Sequence, residues 1–166
     1  MQLRASSDLR TGIDPGDIGA MAALHGTEYS DEYGLDYRFE AYVARSIADF
    51  ALELIHDPEA GRVWLAKDED GLAGCIAVTR KTDSRGRVRW FLLARRARGQ
   101  GIGRQLLSQA LAYARRRYDS LELETFSELT TAAHLYRSAG FVQRDSSPQR
   151  EWGREIQLQH YELFFD

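Results

Sequence analysis

A chain of 166 residues with 43% hydrophobic and 28% charged side chains has enough material for one domain with a sizeable core. A net charge of −3 argues against a general affinity for nucleic acid, one cysteine excludes an internal disulfide, and no apolar run approaches a membrane span. No apolar signal-peptide core follows the N-terminus, so the expectation is a single cytoplasmic domain over residues 1–166.

Residues 1–10 alternate mildly and read as a first strand. Asp14-Pro15-Gly16-Asp17 is a turn into a helix, with Asp14 or Asp17 as its cap. Ile18, Met21, Ala22, His25 and Tyr29 recur at helical spacing, and Gly34 is the natural stop. Phe39, Tyr42, Val43, Ile47, Phe50 and Leu54 form a cleaner stripe, which predicts a second helix over 37–56. The period then changes. Residues 62–67 and 72–79 read as strands joined at Asp70-Gly71, the second buried on both faces, and 87–94 returns as a third strand of the meander.

After a glycine-rich stretch, residues 105–118 are patterned as a third helix, whose apolar face starts just before it at Ile102 and continues through Leu106, Leu107, Ala110, Leu111 and Ala114. Leu121-Glu122-Leu123-Glu124-Thr125 alternates, with the leucines on one face and both glutamates on the other. A fourth helix over 129–139 stops at Gly140, and Phe141-Val142 opens another strand. Residues 145–149 read as a loop and 152–165 as the last strand, with a bulge or a bend where the apolar phase slips between Leu158 and Tyr161. The order β-α-α-β-β-β-α-β-α-β-β predicts an α/β fold, a mixed central sheet with helices on both faces.

The chemistry concentrates in Arg98-Gly99-Gln100-Gly101-Ile102-Gly103-Arg104, between a strand and a helix. Glycines strip side chains from the backbone there, so the unpaired N–H groups of the first helical turn can close on an anion, and the helix dipole adds to them. The spacing fits neither a Walker loop, which needs Lys-Ser or Lys-Thr, nor the G-x-G-x-x-G dinucleotide fingerprint.

The spacing of Arg98, Gly101 and Gly103 does resemble the acyl-coenzyme A pyrophosphate loop of the GNAT family of N-acetyltransferases. A second stretch, Ala132-Ala133-His134-Leu135-Tyr136-Arg137-Ser138-Ala139-Gly140-Phe141, is similar to that family's A-x-x-L-Y-x-x-x-G-F pattern. The resemblance implies acetyl-CoA as cosubstrate, no metal, and the predicted element order. It implies that Arg98 through Arg104 cradle the pyrophosphate and that main-chain groups of Leu92 and Leu93 meet the pantetheine arm. It further implies that Tyr136 is the general acid for the departing thiolate. Arg95, Arg96 and Arg104 are candidates for the cofactor's phosphates. Where many members carry asparagine before the tyrosine, this chain has Leu129.

The acceptor amine must lose a proton, and the resemblance implies a glutamate or aspartate, acting directly or through water, as the base that takes it. Glu124, near the end of its strand, is the first choice, and Glu122, Glu28, Glu32 and His25 are rivals. Cys75 sits in a buried strand without a histidine nearby, so direct transfer is expected rather than an acetyl-cysteine. His25-Gly26-Thr27-Glu28-Tyr29 and Glu151-Trp152-Gly153 resemble the acetyltransferase half of bacterial MarR–acetyltransferase fusions, and Tyr29, Tyr33, Tyr37 and Trp152 are candidates for an acceptor wall. The expected partner is a small-molecule or protein primary amine, with homodimerisation possible. The competing function is a non-catalytic acyl-CoA-binding module, which would bind the cofactor and turn nothing over.

Overall fold

The computed structural model describes residues 9–166. Most of the first predicted strand therefore lies outside the described residues, and its visible part is β1 (Leu9–Thr11). The helices α1 (Asp17–Tyr33) and α2 (Tyr37–His56) follow. An antiparallel meander comes next: β2 (Gly61–Asp68), β3 (Gly71–Arg80) and β4 (Arg85–Leu93). The glycine stretch leads into α3 (Ile102–Arg115), then β5 (Ser120–Phe126) and α4 (Thr130–Ser138). A hairpin of β6 (Val142–Glu151) and β7 (Arg154–Phe164) closes the fold. One seven-stranded sheet runs β1-β2-β3-β4-β5-β7-β6. This is the mixed sheet expected from the element order, with helices on both faces.

Each face has its own core, because each strand's alternation sends one set of side chains to each side. Met21, Val43, Ile47 and Phe50 of α1 and α2 pack on Val63, Leu65, Cys75 and Ala77. Leu106, Leu107, Ala110 and Ala114 of α3 pack on Ile76, Val78, Leu121 and Leu123 from the opposite side. β3 is buried on both faces, as its apolar run requires.

The position of the site follows from one pairing. β4 and β5 are parallel neighbours only at Arg85↔Ser120, Gly86↔Leu121 and Arg87↔Glu122. Past Arg87 they separate. The cause lies in β4, where Ala77 of β3 faces Arg89 and Cys75 faces Leu92, so Ile76 alone spans Trp90 and Phe91. That is a β-bulge, which bends the strand and re-aims its side chains. Trp90 takes φ 49 to make it, a conformation that costs a bulky residue about 1–3 kcal/mol and persists only where packing enforces it. Packing against Phe50 at 5.6 Å and a hydrogen bond from Nε1 to Ser46 Oγ at 3.1 Å hold it.

Several local expectations are corrected. Neither Asp14 nor Asp17 caps α1 through its side chain; left-handed Gly16 is the N-cap. Asp17 is buried instead, accepting the Asp14 N–H at 2.7 Å and pairing with Arg10 and Lys67. The loop expected at 145–149 is part of β6, whose polar edge-strand sequence hides its extended state. The bulge expected between Leu158 and Tyr161 is across the hairpin: β7 pairs with β5 without a slip, and β6 carries the extra residue between Gln143 and Asp145. Trp152 belongs to the hairpin turn rather than to β7. Trp152 and Gly153 both have positive φ, 55 and 90, the signature of a two-residue hairpin turn.

Candidate active site

Where β4 and β5 part, a cleft of about 820 Å³ opens through the sheet. Its floor on the α3 and α4 side is built from the glycine stretch. Gly99 and Gly101 sit at φ 75 and 82, and Gly101 is the N-cap of α3 with no side-chain cap. The main-chain N–H groups of Gly99 through Arg104 have no acceptor among the described residues. Gln105 is the first to close the helix, donating to Gly101 O at 3.1 Å. Gly103 lies where a Cβ would stand 3.1 Å from Leu93 Cδ1, so glycine lets α3 approach β4 closely. Such a row of free donors at a helix start fits a diphosphate.

Leu92, Leu93, Arg98, Gly99, Gly101, Gly103, Arg104, Glu124 and Tyr136 all line this cleft. Gln100 and Ile102 do not bring side chains to it. Gln100 Nε2 turns back to Arg96 O at 3.2 Å and Ile102 is buried in the core, so each can contribute only its backbone N–H. Arg98 is engaged before any ligand arrives: it forms a two-pronged pair with Glu32 of α1 and reaches Leu93 O at 3.3 Å. Arg95 pairs with Glu28 and Glu32, and Arg96 with Asp68. Arg104 has no ion-pair partner among the described residues, which leaves it the cationic side chain best placed for a phosphate.

Tyr136 is buried with its ring against Phe91, Phe141 and Tyr161, at centroid distances of 5.9, 5.8 and 6.1 Å. Burial, with Tyr29 and Tyr161 nearby, pushes its phenol well above the ordinary value, so it keeps its proton throughout the working pH range. Thr125 Oγ1 is buried at the cleft wall with no hydrogen-bond partner among the described residues. A buried hydroxyl of this kind fits a site that a polar ligand completes.

The two glutamates of β5 have different surroundings. Glu122 is 1% exposed and does not line the cleft. Arg87 reaches it at 2.7 Å, Lys81 is bonded to it, and Arg85 and His160 each lie at 3.5 Å or closer. Burial alone would raise its pKa, but the hydrogen bonds and charges of Lys81 and Arg87 more than offset that and bring it to about 2. With three cations around it, Glu122 is a structural anion, clustered with His160 and Glu162 so that one ligand atom from each lies within 4.8 Å of the others. Glu124 lies one pleat farther along, exposed in the cleft, and forms no ion pair among the described residues.

His25 is a hydrogen-bonded core group: Nδ1 contacts Met21 O at 2.8 Å, and burial lowers its pKa to about 4. Cys75 is also shut away, its thiol pushed up to about 12 by burial and its Sγ donating to Trp90 O at 3.1 Å. Tyr29, Tyr33 and Trp152 reach the cleft on the α1 and α2 side, whereas Tyr37 is 79% exposed and stands away from it.

The acetyltransferase (GNAT) domain model matches residues 59–143, just over half of the chain and the span that holds both the glycine stretch and Tyr136. The chain belongs to the GNAT family. Its fold is also that of solved acetyltransferases. A ribosomal-protein-alanine N-acetyltransferase from Brucella melitensis is 20% identical with a TM-score of 0.75, over 96% of this chain and 100% of that one. A spermidine N-acetyltransferase from Vibrio cholerae, in complex with CoA and spermine, is 21% identical with a TM-score of 0.69, over 94% and 95%. A GNAT family acetyltransferase from Elizabethkingia anophelis with acetyl-CoA bound is 25% identical with a TM-score of 0.53, over 68% and 82%.

Two features of this GNAT cleft escape a reading of the sequence. One is the fastening of the hairpin tip that carries Trp152. Asp36 N donates to Trp152 O at 2.9 Å, and Arg154 donates to Tyr33 O at 2.6 Å while pairing with Glu128, so the tip is fastened to both helix junctions. The turn signal Trp-Gly lacks the usual Asn or Asp, which is why a loop elsewhere looked better. The other is Arg89, which lies in register opposite Ala77 just before the bulge and reaches the cleft beside Trp90. Alternation puts it on the face of Arg87 but does not show that β5 has already parted from β4 at that point.

Proposed function

We propose that the protein is an acetyl-CoA-dependent N-acetyltransferase that passes an acetyl group directly to a primary amine. The observation that carries this reading is the row of unpaired N–H groups from Gly99 to Arg104 opening onto the same cleft as Tyr136 and Glu124. Family membership supports it, as do the CoA and acetyl-CoA held by the Vibrio and Elizabethkingia proteins.

Bound acetyl-CoA would supply the activated acyl group and a thiol leaving group. The residues of this chain do the rest. The N–H groups at the mouth of α3, with Arg104, hold the diphosphate. Main-chain groups of Leu92 and Leu93, freed from β5 by the splay, orient the arm and donate to the acyl oxygen. Glu124 takes a proton from the incoming ammonium and leaves the amine nucleophilic. Tyr136 faces the sulfur that departs; its raised pKa keeps the phenol protonated, so it is present as an O–H that hydrogen-bonds the developing thiolate. Cys75, sealed from the cleft with its pKa at about 12, is unsuited to a covalent acetyl carrier.

The same proposal takes residues 1–166 as one cytoplasmic acetyltransferase domain, kin to the acetyltransferase half of MarR fusions by its His25-Gly26-Thr27-Glu28-Tyr29 and Glu151-Trp152-Gly153 stretches. The test is thiol release from acetyl-CoA across a panel of amines, alongside calorimetry with CoA. Binding with turnover supports the reading. Binding without turnover on any amine leaves a cofactor-sensing module, and no binding removes the reading altogether.

A further inference from the structure

Most charged side chains around the cleft are already neutralised by another residue. Glu28 and Glu32 hold Arg95 and Arg98, Arg87 holds Glu122, and Glu128 holds Arg154. Three lining charges have no ion-pair partner among the described residues: Arg104, Glu124 and Arg89. Arg104 lies at the glycine stretch on the α3 side. The other two lie on the α1 and α2 side, where Trp90 and Phe126 join the core of that face.

Arg89 is the unusual member. It is half-buried, and its guanidinium sits 4.5 Å from the ring centre of Trp90. Burial lowers its pKa, with the Tyr42 hydroxyl beside it and Glu124 near enough to act through space but beyond ion-pair distance. A half-buried guanidinium without a carboxylate is costly unless something else supplies one. Its planar fork is shaped for a carboxylate or phosphonate, and the aromatic ring beneath it fixes its plane. Arg89 stands opposite Ala77 on the α1 and α2 face, and the strained φ of Trp90 is what keeps Trp90 on that same side.

From this arrangement we infer that the acceptor is an amine that also carries an anionic group, its ammonium at Glu124 and its carboxylate or phosphonate at Arg89. Walls from Tyr29, Phe39, Phe126 and Trp152 flank that space and take the apolar part of such a molecule. This selectivity rests on the acetyl-transfer reading above. A polyamine or an unmodified lysine side chain would meet Arg89 as a like charge, and such pairing is disfavoured.

The test separates binding from transfer. The protein saturated with free CoA, which has no acetyl group to give, is titrated calorimetrically with the L-amino acids, β-alanine, γ-aminobutyrate and aminomethylphosphonate. Each acid is paired with its carboxamide, methyl ester or the amine lacking the acid group. At least one anionic member binds about tenfold or more tighter than its uncharged counterpart, the scale of a desolvated charge pair. In Arg89→Gln that difference disappears, and Arg89→Lys retains part of it. Thiol release with acetyl-CoA shows the same acid-over-neutral ratio in kcat/KM and the same collapse in Arg89→Gln. An Arg89→Gln protein that no longer binds CoA has lost its fold, and Arg89→Lys then carries the comparison.

The inference is overturned if neutral amines bind and react as well as their acids. It is equally overturned if no member of the panel binds in an Arg89-dependent way, or if the substitution lowers acids and neutral partners alike. Arg89-dependent binding without thiol release removes the transfer reading and leaves the selectivity. Thiol release confined to amines without an acid group does the reverse.

Discussion

The two ends of the β4–β5 pair use the same residue types for opposite purposes. At the zipped end, Arg85 and Arg87 close on Glu122 across paired strands, and the carboxylate is sealed by cations. At the splayed end, Arg89 and Glu124 face a cleft and do not meet. The spacing along each strand is the same two residues. What differs is one extra residue in β4, which stops the ladder and turns a salt bridge into a pair of open charges. Charge in this protein is structural where the strands touch and available where they part.

Four measurements would break or sharpen that contrast. The largest effect belongs to the open end: Tyr136→Phe lowers kcat by about 10²–10⁴, the worth of a positioned acid, while calorimetric affinity for CoA holds. An unchanged kcat would transfer the proton donor's role to another group.

At the zipped end, Glu122→Leu destabilises the fold by about 3 kcal/mol in urea unfolding, because it strands the surrounding cations. Its pH dependence follows from the depressed pKa. The contribution of Glu122 is fully present above the ordinary value of 4.5 and is lost as pH falls toward about 2, so the acid limb of the wild-type melting curve flattens in the variant. His25, buried neutral at about 4, gives stability that fades between 6.5 and 4, a separate and earlier step that the Glu122 variant keeps.

Glu124→Gln lowers kcat about tenfold or more at neutral pH and recovers as pH rises and the amine sheds its own proton. Loss of global stability in this variant, as large as that of Glu122→Leu, would erase the distinction between the two ends. Smallest is Gly101→Ala. No atom lies within 4 Å of the added methyl, so its cost is the positive φ alone, about 1 kcal/mol in unfolding, with weaker CoA binding as the loop relaxes.

The helical stripes and the glycine spacing made most of this legible without coordinates. Helix α2 falls over the residues its apolar stripe marks, and β3 is buried on both faces as its composition requires. The glycine stretch and Tyr136 reach one cleft, as their motifs imply. The failures share a cause. Strand alternation places Glu122 and Glu124 on one face, and they do share it, but alternation cannot say where the neighbouring strand peels away. That depends on a bulge enforced by Phe50 and Ser46, far from β4 in sequence. β6 was hidden because an exposed edge strand needs no apolar pattern; β7 alone pairs with it.

Arg154 gives the hairpin tip a wider meaning. One guanidinium ties the tip to the end of α1 and to Glu128 beyond β5, so the acceptor-side partition is assembled from three separate pieces of chain. None of those pieces belongs to the glycine stretch. Lengthening or shortening the hairpin would therefore reshape the α1 and α2 side of the cleft while sparing the glycine stretch, so one turn sets the shape of half the cleft independently of the other half.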